Sequence, residues 1–243
     1  MSLGGMARAP SIDRAVWQAQ AVLLVLWDVD GTLVHTGGHG RYAFEEAYEI
    51  VVGRPFEQTV SYAGRTDRQI ALSMLEGSDE HLPRVLEELE TALEERRERV
   101  AAEGAAHPGV PETLAALHDR DDVINSLLTG NIAANAALKV SAFGLDRWLD
   151  FEVGAYGSDP HEERYELVAI ARDRAAAKYG EPTGAVLVGD TPLDIRAARE
   201  AGARAVAVAT GFANIDTLRA AEPDAVLQDL TDVDAAVRAI TAT

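Results

Sequence analysis

The sequence predicts an α/β fold with three layers, in which a mostly parallel, Rossmann-like sheet lies between two layers of helices. Four segments rich in Val, Leu and Ile have the composition of strands: residues 21–27, 122–128, 185–188 and 203–208. Helical patterns separate them, and this alternation is typical of a parallel sheet. Apolar residues at three- and four-residue intervals, such as Val110, Leu114 and Leu117, give these helices a face that covers the sheet. A second example is the series at positions 233, 237 and 240.

A helical insertion interrupts this alternation after the first strand. Residues 37–106 contain no convincing strand and read as three or four helices. The Pro108-Gly109 pair then marks a turn at which the chain returns to the sheet. We therefore predict a catalytic core formed by residues 20–36 and 107–243, and a helical cap formed by residues 37–106. Residues 35–38, with two glycines, read as the hinge between them.

Charge and composition exclude several classes of function. The chain has 243 residues, of which 22 are Lys or Arg and 40 are Asp or Glu, giving a net charge of −18. Nucleic acids and anionic membranes require a basic face, so we expect neither as a partner. Cysteine is absent, which rules out disulfides, thiol nucleophiles and thiolate zinc sites. We expect a cytoplasmic protein, monomeric or homodimeric, and residues 1–5 read as an expression remnant before a start at Met6.

The first chemical motif is a pair of acids at the end of the first strand. Asp28 and Asp30 are two positions apart, which places both on the same side of an extended chain. The carboxyl ends of parallel strands form the ligand crevice of such sheets. Gly31 lets the backbone turn away after them. An Asp-Gly pair is also an ordinary turn, but two acids and a Thr after so apolar a strand favour a functional site.

Two later strands end in similar motifs. Thr129, Gly130 and Asn131 precede an Ala-rich helix, and a hydroxyl with backbone amides at a helix start can bind an anion; a simple helix cap is the alternative. Asp190 follows the strand at 185–188, and Asp194 lies one helical turn further on. Asp190 suits an oxygen-liganded Mg²⁺ site. Asp194 could instead be a first-turn acid that interacts with the helix dipole.

Together these motifs resemble, in sequence and in order, those of the haloacid dehalogenase-like superfamily. The resemblance implies a phosphatase in which Asp28 attacks phosphorus and becomes transiently phosphorylated. It implies that Asp30 acts as general acid and base and lends its backbone carbonyl to Mg²⁺. Asp190 would then be a direct Mg²⁺ ligand and Asp194 an outer-shell partner. Thr129 would bind the transferred phosphoryl group, with Gly130 and Asn131 also contacting the substrate.

The sequence departs from the superfamily at its third motif, which usually supplies a Lys. The chain has two lysines, Lys139 and Lys178, and neither precedes a Pro. Arg164 follows a loop between the second and fourth motifs, so we predict that it replaces this lysine as a fixed cation for the phosphate and Asp28. Lys139 is the alternative.

The insertion lies where the superfamily places a mobile cap. Residues 64–67 resemble the cap loop that contacts substrate, which makes Arg65 and Thr66 candidate specificity residues; a polar loop with a helix cap is the alternative. The helical cap is most similar to those of phosphoglycolate phosphatases. We predict a Mg²⁺-dependent hydrolase of a small phosphorylated metabolite. A β-phosphoglucomutase-like phosphotransferase and a phosphometabolite-binding regulator without turnover are the alternatives.

Overall fold

The computed structural model describes residues 22–161 and 163–242. The proposed expression remnant at residues 1–5 and the first residues of the predicted core and first strand lie outside this part of the chain. None of the described helices combines the length and the apolar character needed to cross a membrane.

Strands and helices alternate along the described chain once the helical insertion has ended. The strands are β1 (Leu23–Trp27), β2 (Val34–His35), β3 (Ala105–Ala106), β4 (Val123–Thr129), β5 (Ala155–Tyr156), β6 (Gly184–Gly189), β7 (Arg204–Val208) and β8 (Ala225–Leu227). The helices are α1 (His39–Val52), α2 (Asp67–Met74), α3 (Leu82–Glu95), α4 (Arg97–Glu103), α5 (Val110–His118), α6 (Ala133–Ser141), α7 (Glu166–Tyr179), α8 (Pro192–Glu200), α9 (Ile215–Ala220) and α10 (Val233–Thr241).

Six strands form one sheet in the order β5-β4-β1-β6-β7-β8, and all neighbouring pairs are parallel. The predicted α/β class with a parallel sheet is therefore confirmed. The four predicted strands correspond to β1, β4, β6 and β7, with ends that differ by one or two residues. The sequence pattern missed β5 and β8 because two or three residues are too few to show periodicity.

Alternation along β1 explains the three layers. Val25 and Trp27 pack on one face with α5, α6 and α10, whereas Leu24 and Leu26 pack on the other with α7, α8 and α9. Successive residues of a strand point to opposite faces, and here both faces are covered, so the strand is apolar throughout. Its carboxyl end is consequently fixed within the core.

Helices α1 to α4 form the insertion and have an apolar core of their own. Phe44, Ile70, Leu89 and Val100 represent the four helices in this cluster, and Leu138 of α6 joins it. Strands β2 and β3 pair in antiparallel orientation at the two points where the chain enters and leaves the insertion. These two-residue strands were not predicted. The helices favour the proposed division into core and cap, which stays a prediction.

Candidate active site

Parallel pairing brings the two main acidic motifs together. Strands β1 and β6 are adjacent, with Trp27 opposite Val188, so the residues that follow these strands emerge side by side. The Asp28 amide continues the pairing by donating to the Val188 carbonyl at 2.9 Å. Asp28 and Asp190 therefore meet although they are far apart in sequence.

Three buried carboxylates form a cluster at this edge of the sheet. One oxygen each from Asp28, Asp190 and Asp194 lies within 4.8 Å of the other two. Gly31, with a φ of +87°, lies directly against this cluster, because a Cβ on it would come within 2.6 Å of an Asp190 carboxylate oxygen. Glycine is the residue that satisfies both the left-handed backbone and the close approach.

Burial and mutual repulsion make this cluster a poor place for three negative charges. Burial, followed by repulsion from Asp194, raises the pKa of Asp28 from 3.8 to about 7, although Arg164 lowers it. Burial, followed by repulsion from Asp28 and Asp194, raises the pKa of Asp190 from 3.8 to about 8. A divalent cation bound among these oxygens would favour their ionised forms and reverse both shifts.

The donors in this cluster fit a hard divalent cation such as Mg²⁺. Carboxylate oxygens are the ligands that Mg²⁺ prefers, and Asp28 and Asp190 supply them from a rigid sheet edge. Both oxygens of Asp194 are already occupied: Oδ1 accepts from Arg164 at 2.6 Å, and Oδ2 accepts from the Thr191 amide and hydroxyl at 3.0 and 2.6 Å. This arrangement supports the predicted outer-shell place for Asp194.

Arg164 reaches the acidic cluster from the segment just before α7, so it precedes the helix rather than starting it. Its Nη2 donates to Asp28 Oδ1 at 3.0 Å and to Asp194 Oδ1 at 2.6 Å. Burial lowers the pKa of Arg164, but the two carboxylates outweigh burial and raise it. The guanidinium Nη1 also donates to the Gly64 carbonyl of the cap loop at 3.3 Å. Arg164 is thus a permanent cation beside the predicted nucleophile.

Lys139 contacts the other acid of the first motif. Its Nζ donates to Asp30 Oδ2 and to Asn131 Oδ1, both at 2.6 Å. Asn131 Nδ2 donates to the same Asp30 oxygen at 2.7 Å and to Thr129 Oγ1 at 2.8 Å. The side chain of Asp30 is therefore held by two donors and lies outside the three-carboxylate cluster. A ligand role for its carbonyl stays a prediction.

The cap loop meets the core at Gly130. A Cβ on Gly130 would come within 2.3 Å of the Arg65 carbonyl oxygen, so this position has no room for a side chain. The side chain of Arg65 turns into the cap, where it donates to Ser73 Oγ at 2.7 Å and to the Gln69 carbonyl at 2.8 Å. Thr66 forms a capping box with Gln69 at the start of α2. This geometry favours the helix-cap alternative for Thr66, and the substrate roles of both residues stay predictions.

From the sequence, Asp67 was at most a possible helix cap. Its amide donates to the Gly130 carbonyl at 2.7 Å, and its carboxylate accepts from the Ile132 amide at 2.8 Å. Burial raises the pKa of Asp67 from 3.8 to about 6, although Lys139 and the Ile132 amide lower it. Asp67 therefore joins the cap to the loop after β4. An acid in the first turn of a predicted helix was its visible signal, and such acids are common.

Two further contacts to the acidic cluster were also missed. Thr32 Oγ1 donates to Asp190 Oδ1 at 3.1 Å, and the Phe212 amide donates to Asp190 Oδ2 at 2.6 Å. Thr32 belongs to the first motif, and its place there was the available signal. The loop after β7 carries no motif, so nothing in the sequence indicates that Phe212 reaches the site.

A cavity of about 580 Å³ lies between the core and the cap. Its wall includes most of the predicted site residues: Asp28, Asp30, Thr129, Gly130, Asn131, Arg164 and Arg65. Thr66, Asp190 and Asp194 are not part of this wall. The structure thus brings the predicted catalytic residues to one concave site, the usual setting for a small-molecule ligand.

Comparison with known proteins agrees with this geometry. The model of the haloacid dehalogenase-like hydrolases matches residues 25–199, and a model of HAD-hydrolase-like proteins matches residues 167–233. The chain is 30% identical over 223 residues to the "Probable phosphatase IndB" of Dickeya dadantii, covering 89% of this chain and 94% of that protein. It is 29% identical over 216 residues to phosphoglycolate phosphatase 1 of Pseudomonas aeruginosa, covering 86% and 78%.

A solved structure shows the same fold. The crystal structure of a hydrolase from Pseudomonas syringae superposes with a TM-score of 0.66 at 23% identity, over 92% of this chain and all of that chain. The family model matches well over half of the sequence and contains the two acidic motifs and the Thr129 motif between them. The chain therefore belongs to the haloacid dehalogenase-like hydrolase family, as its motifs predicted.

Proposed function

We propose that this protein is a Mg²⁺-dependent phosphomonoester hydrolase that forms an aspartyl-phosphate intermediate on Asp28 and is similar to the phosphoglycolate phosphatases. The observation that carries the proposal is the meeting of Asp28, Asp190 and Arg164 at the edge of the sheet, where Asp28 lines the cavity. A buried carboxylate beside a fixed cation and a cation-binding cluster suits attack on a phosphoryl group. The names of two relatives, a phosphatase and a phosphoglycolate phosphatase, support the same reaction.

In the first half-reaction, a carboxylate oxygen of Asp28 forms a bond to phosphorus and the bond from phosphorus to the alcohol oxygen breaks. Asp30 gives its proton to that departing oxygen. Lys139 and Asn131 hold the Asp30 carboxyl for this transfer. Arg164 orients Asp28 and offers positive charge to the phosphoryl oxygens, while Thr129 and the Gly130 and Asn131 amides supply hydrogen-bonding groups.

In the second half-reaction, Asp30 takes a proton from a water molecule as that water attacks phosphorus, which releases phosphate and restores Asp28. A Mg²⁺ ion held by Asp28, the Asp30 carbonyl and Asp190, with Asp194 in the outer shell, would neutralise charge on the phosphoryl group. The closed cap would keep bulk water from the site during the first step.

The experiment that tests this proposal is hydrolysis of p-nitrophenyl phosphate with Mg²⁺ and with excess EDTA. We expect turnover that requires Mg²⁺ and that Asp28→Asn reduces by at least about 10³-fold, because the nucleophile is lost. Asp216→Asn, which changes an exposed acid outside the site, is the matched control. Turnover that is equal in Asp28→Asn and the unaltered protein would contradict the proposal.

Phosphate release and a separate isomerisation assay distinguish the two alternatives from the sequence. A regulator without turnover would bind phosphate esters and release no phosphate. A mutase would convert β-glucose 1-phosphate to glucose 6-phosphate in the presence of glucose 1,6-bisphosphate, with little free phosphate. Release of phosphate without isomerisation is the result we expect.

A further inference from the structure

The cavity is much larger than a phosphoryl group requires. At about 580 Å³ it falls within the range of pockets that enclose drug-sized ligands, roughly 300 to 1,000 Å³. Thr129, Asp28 and Arg164, which the proposed reaction uses, are buried members of its wall, and the other wall residues are left to contact the leaving group. The chemistry of those other residues therefore indicates which alcohol the protein releases, provided that the proposed phosphatase function holds.

The wall on the cap side is apolar and aromatic. Phe44 and Ile70 are buried members of the cap core that also line the cavity. Tyr62 lies beside Phe44, with ring centroids 5.7 Å apart and an interplanar angle of 63°. Aromatic edges and faces arranged in this way offer a surface on which a flat apolar group can pack.

The core contributes an exposed aromatic residue to the same wall. Phe212 is 57% exposed, yet its backbone amide is anchored to Asp190 at 2.6 Å. Its backbone is thus held beside the acidic cluster, while much of the residue is left uncovered by protein. Exposed apolar surface that faces a concave site is typical of ligand binding.

The arginines and lysines of the cavity wall already have acceptors within the protein. In the described part of the chain they are Arg41, Arg65, Lys139 and Arg164, and two histidines, His35 and His107, also line the cavity. Lys139 is bound by Asp30 and Asn131, and Arg65 donates to acceptors within the cap, including Ser73. The guanidinium of Arg164 donates to Asp28 and, in the proposed reaction, contacts the phosphoryl group.

The remaining basic groups of the wall provide little positive charge for a second anionic group on the substrate, beyond the phosphoryl group. Arg41 lies on the surface and pairs with Glu45 at 2.6 Å, so water and this carboxylate already compensate its charge. His107 also lines the cavity, and burial, followed by repulsion from His35, lowers its pKa, which leaves the imidazole neutral near pH 7. A leaving group with its own carboxylate or phosphate would thus enter the cavity without a dedicated cation, close to the acids already there.

We propose that the alcohol released by this protein is a neutral, ring-bearing molecule that packs between Phe212 of the core and Phe44 and Tyr62 of the cap. The aromatic wall attracts the ring, and the prior engagement of every arginine and lysine in the described wall disfavours anionic alcohols. Phosphoglycolate, whose alcohol carries a carboxylate, would then be a poor substrate, in contrast to the relative named for it.

Two pairs of phosphate esters test charge and ring separately. In the first pair, 4-carbamoylphenyl phosphate and 4-carboxyphenyl phosphate have the same shape and differ in one charge. We expect kcat/KM to be at least about tenfold higher for the amide, equivalent to about 1.4 kcal/mol. The preference must persist at high salt, because long-range repulsion from the net charge of −18 is then screened. Equal values, or a preference that disappears in high salt, would overturn the proposal.

In the second pair, benzyl phosphate and ethyl phosphate differ in the ring while both release a simple primary alcohol. We expect kcat/KM to be at least about tenfold higher for benzyl phosphate. Phe212→Ala should lower this ratio several-fold, whereas Ile50→Ala should leave it unchanged, because Ile50 is 53% exposed and is not part of the cavity wall. A ratio that Phe212→Ala leaves unaltered would overturn the assignment of the ring to Phe212.

Binding to Asp28→Asn, measured by calorimetry with Mg²⁺ present, repeats both comparisons without turnover. If the unaltered protein hydrolyses no phosphate ester, the proposed function fails, and the binding ratios still decide the inference about the leaving group. Tenfold tighter binding of the amide and of the benzyl ester supports that inference, and equal binding within either pair contradicts it.

Discussion

At the scale of single residues, Arg164 and Lys139 neutralise the charge of different acids in the site. Arg164 contacts Asp28 and Asp194, whereas Lys139 contacts Asp30. From the sequence, these two basic residues were alternatives for one position. The structure places Arg164 beside the predicted nucleophile and gives Lys139 a separate contact with the predicted acid and base, and the role of Arg164 in place of the lysine stays a prediction.

Replacement of Arg164 by Ala should reduce kcat by at least about 10²-fold, because the site loses the fixed cation that orients Asp28 and stabilises phosphoryl charge. Arg164→Lys should retain most of the activity, since one ammonium can replace the Nη2 group that contacts both carboxylates, although it loses the bond to the Gly64 carbonyl. Steady-state kinetics with a saturating phosphate ester measures both effects. Arg172→Ala, which removes another arginine of the α7 region, is the control.

A double-mutant cycle separates the two basic residues. If Lys139 acts through Asp30, then Lys139→Ala should add little to the loss already caused by Asp30→Asn. Arg164→Ala combined with Asp30→Asn should instead show a further loss. Equal additivity for both pairs would mean that Lys139 does not act through Asp30.

At the scale of elements, the site is assembled where strand ends, helix starts and the cap loop meet. Helix α6 begins shortly after β4 ends at Thr129, and helix α8, which begins shortly after β6, carries Asp194 of the acidic cluster in its first turn. Helix α2 of the cap begins against the loop after β4, where Asp67 joins the two parts. Contact between cap and core therefore combines directed hydrogen bonds at Asp67 with the apolar packing of Leu138 against the cap.

Asp67 should make the stability of the protein depend on pH. Because its pKa rises from 3.8 to about 6 on folding, the protonated side chain adds stability below about pH 4, and this contribution is lost as the pH rises through 6. Between pH 5 and pH 8 the free energy of unfolding of the unaltered protein should fall by on the order of 1 kcal/mol relative to that of Asp67→Asn. Urea unfolding of both proteins at the two pH values measures this difference. If the difference in unfolding free energy between the two proteins is the same at both pH values, the buried Asp67 carboxyl does not cause the pH dependence.

At the scale of the whole molecule, a strongly acidic chain concentrates three buried acids at one point. The net charge of −18 repels anionic substrates at long range, so phosphoester binding depends on local positive charge. Arg164 supplies part of it, and a divalent cation would supply the rest. Binding of that cation should therefore couple to the stability of the whole fold.

Mg²⁺ should raise the melting temperature of the protein. A ligand present at about 100 times its dissociation constant raises the free energy of unfolding by roughly 2.7 kcal/mol. For a chain of this length, that increase corresponds to a rise in melting temperature of about 5 to 10 °C. The shift should be larger near pH 8 than near pH 6. In the metal-free fold Asp28 and Asp190 keep protons up to about pH 7 and 8, and Mg²⁺ must displace them. Differential scanning fluorimetry with NaCl of equal ionic strength as the control measures the shift.

The same measurement on Asp190→Asn tests where the cation binds. The variant loses one carboxylate of the cluster and should show little shift with Mg²⁺. An undiminished shift in Asp190→Asn would place the stabilising cation elsewhere.

The sequence alone was sufficient for the α/β class, the four longest sheet strands and the acids of the first and last motifs. Each of these depends on a local pattern: continuous apolar runs for strands buried on both faces, and acids directly after them. Because parallel strands share one carboxyl edge, such acids converge whatever the details of packing. The family followed from the same motifs, since their order along the chain is itself part of the pattern.

Tertiary structure alone decided which side chains contact each other. Several side chains and amides of the site contact residues more than 20 positions away, as Asp67, Phe212 and Lys139 do. Local periodicity in the sequence does not predict such pairs. The two- and three-residue strands were hidden for the same reason, because neighbouring strands define them. Sequence patterns indicate which face of a helix or strand is buried. Hydrogen-bond partners and cavity walls depend instead on how distant segments pack.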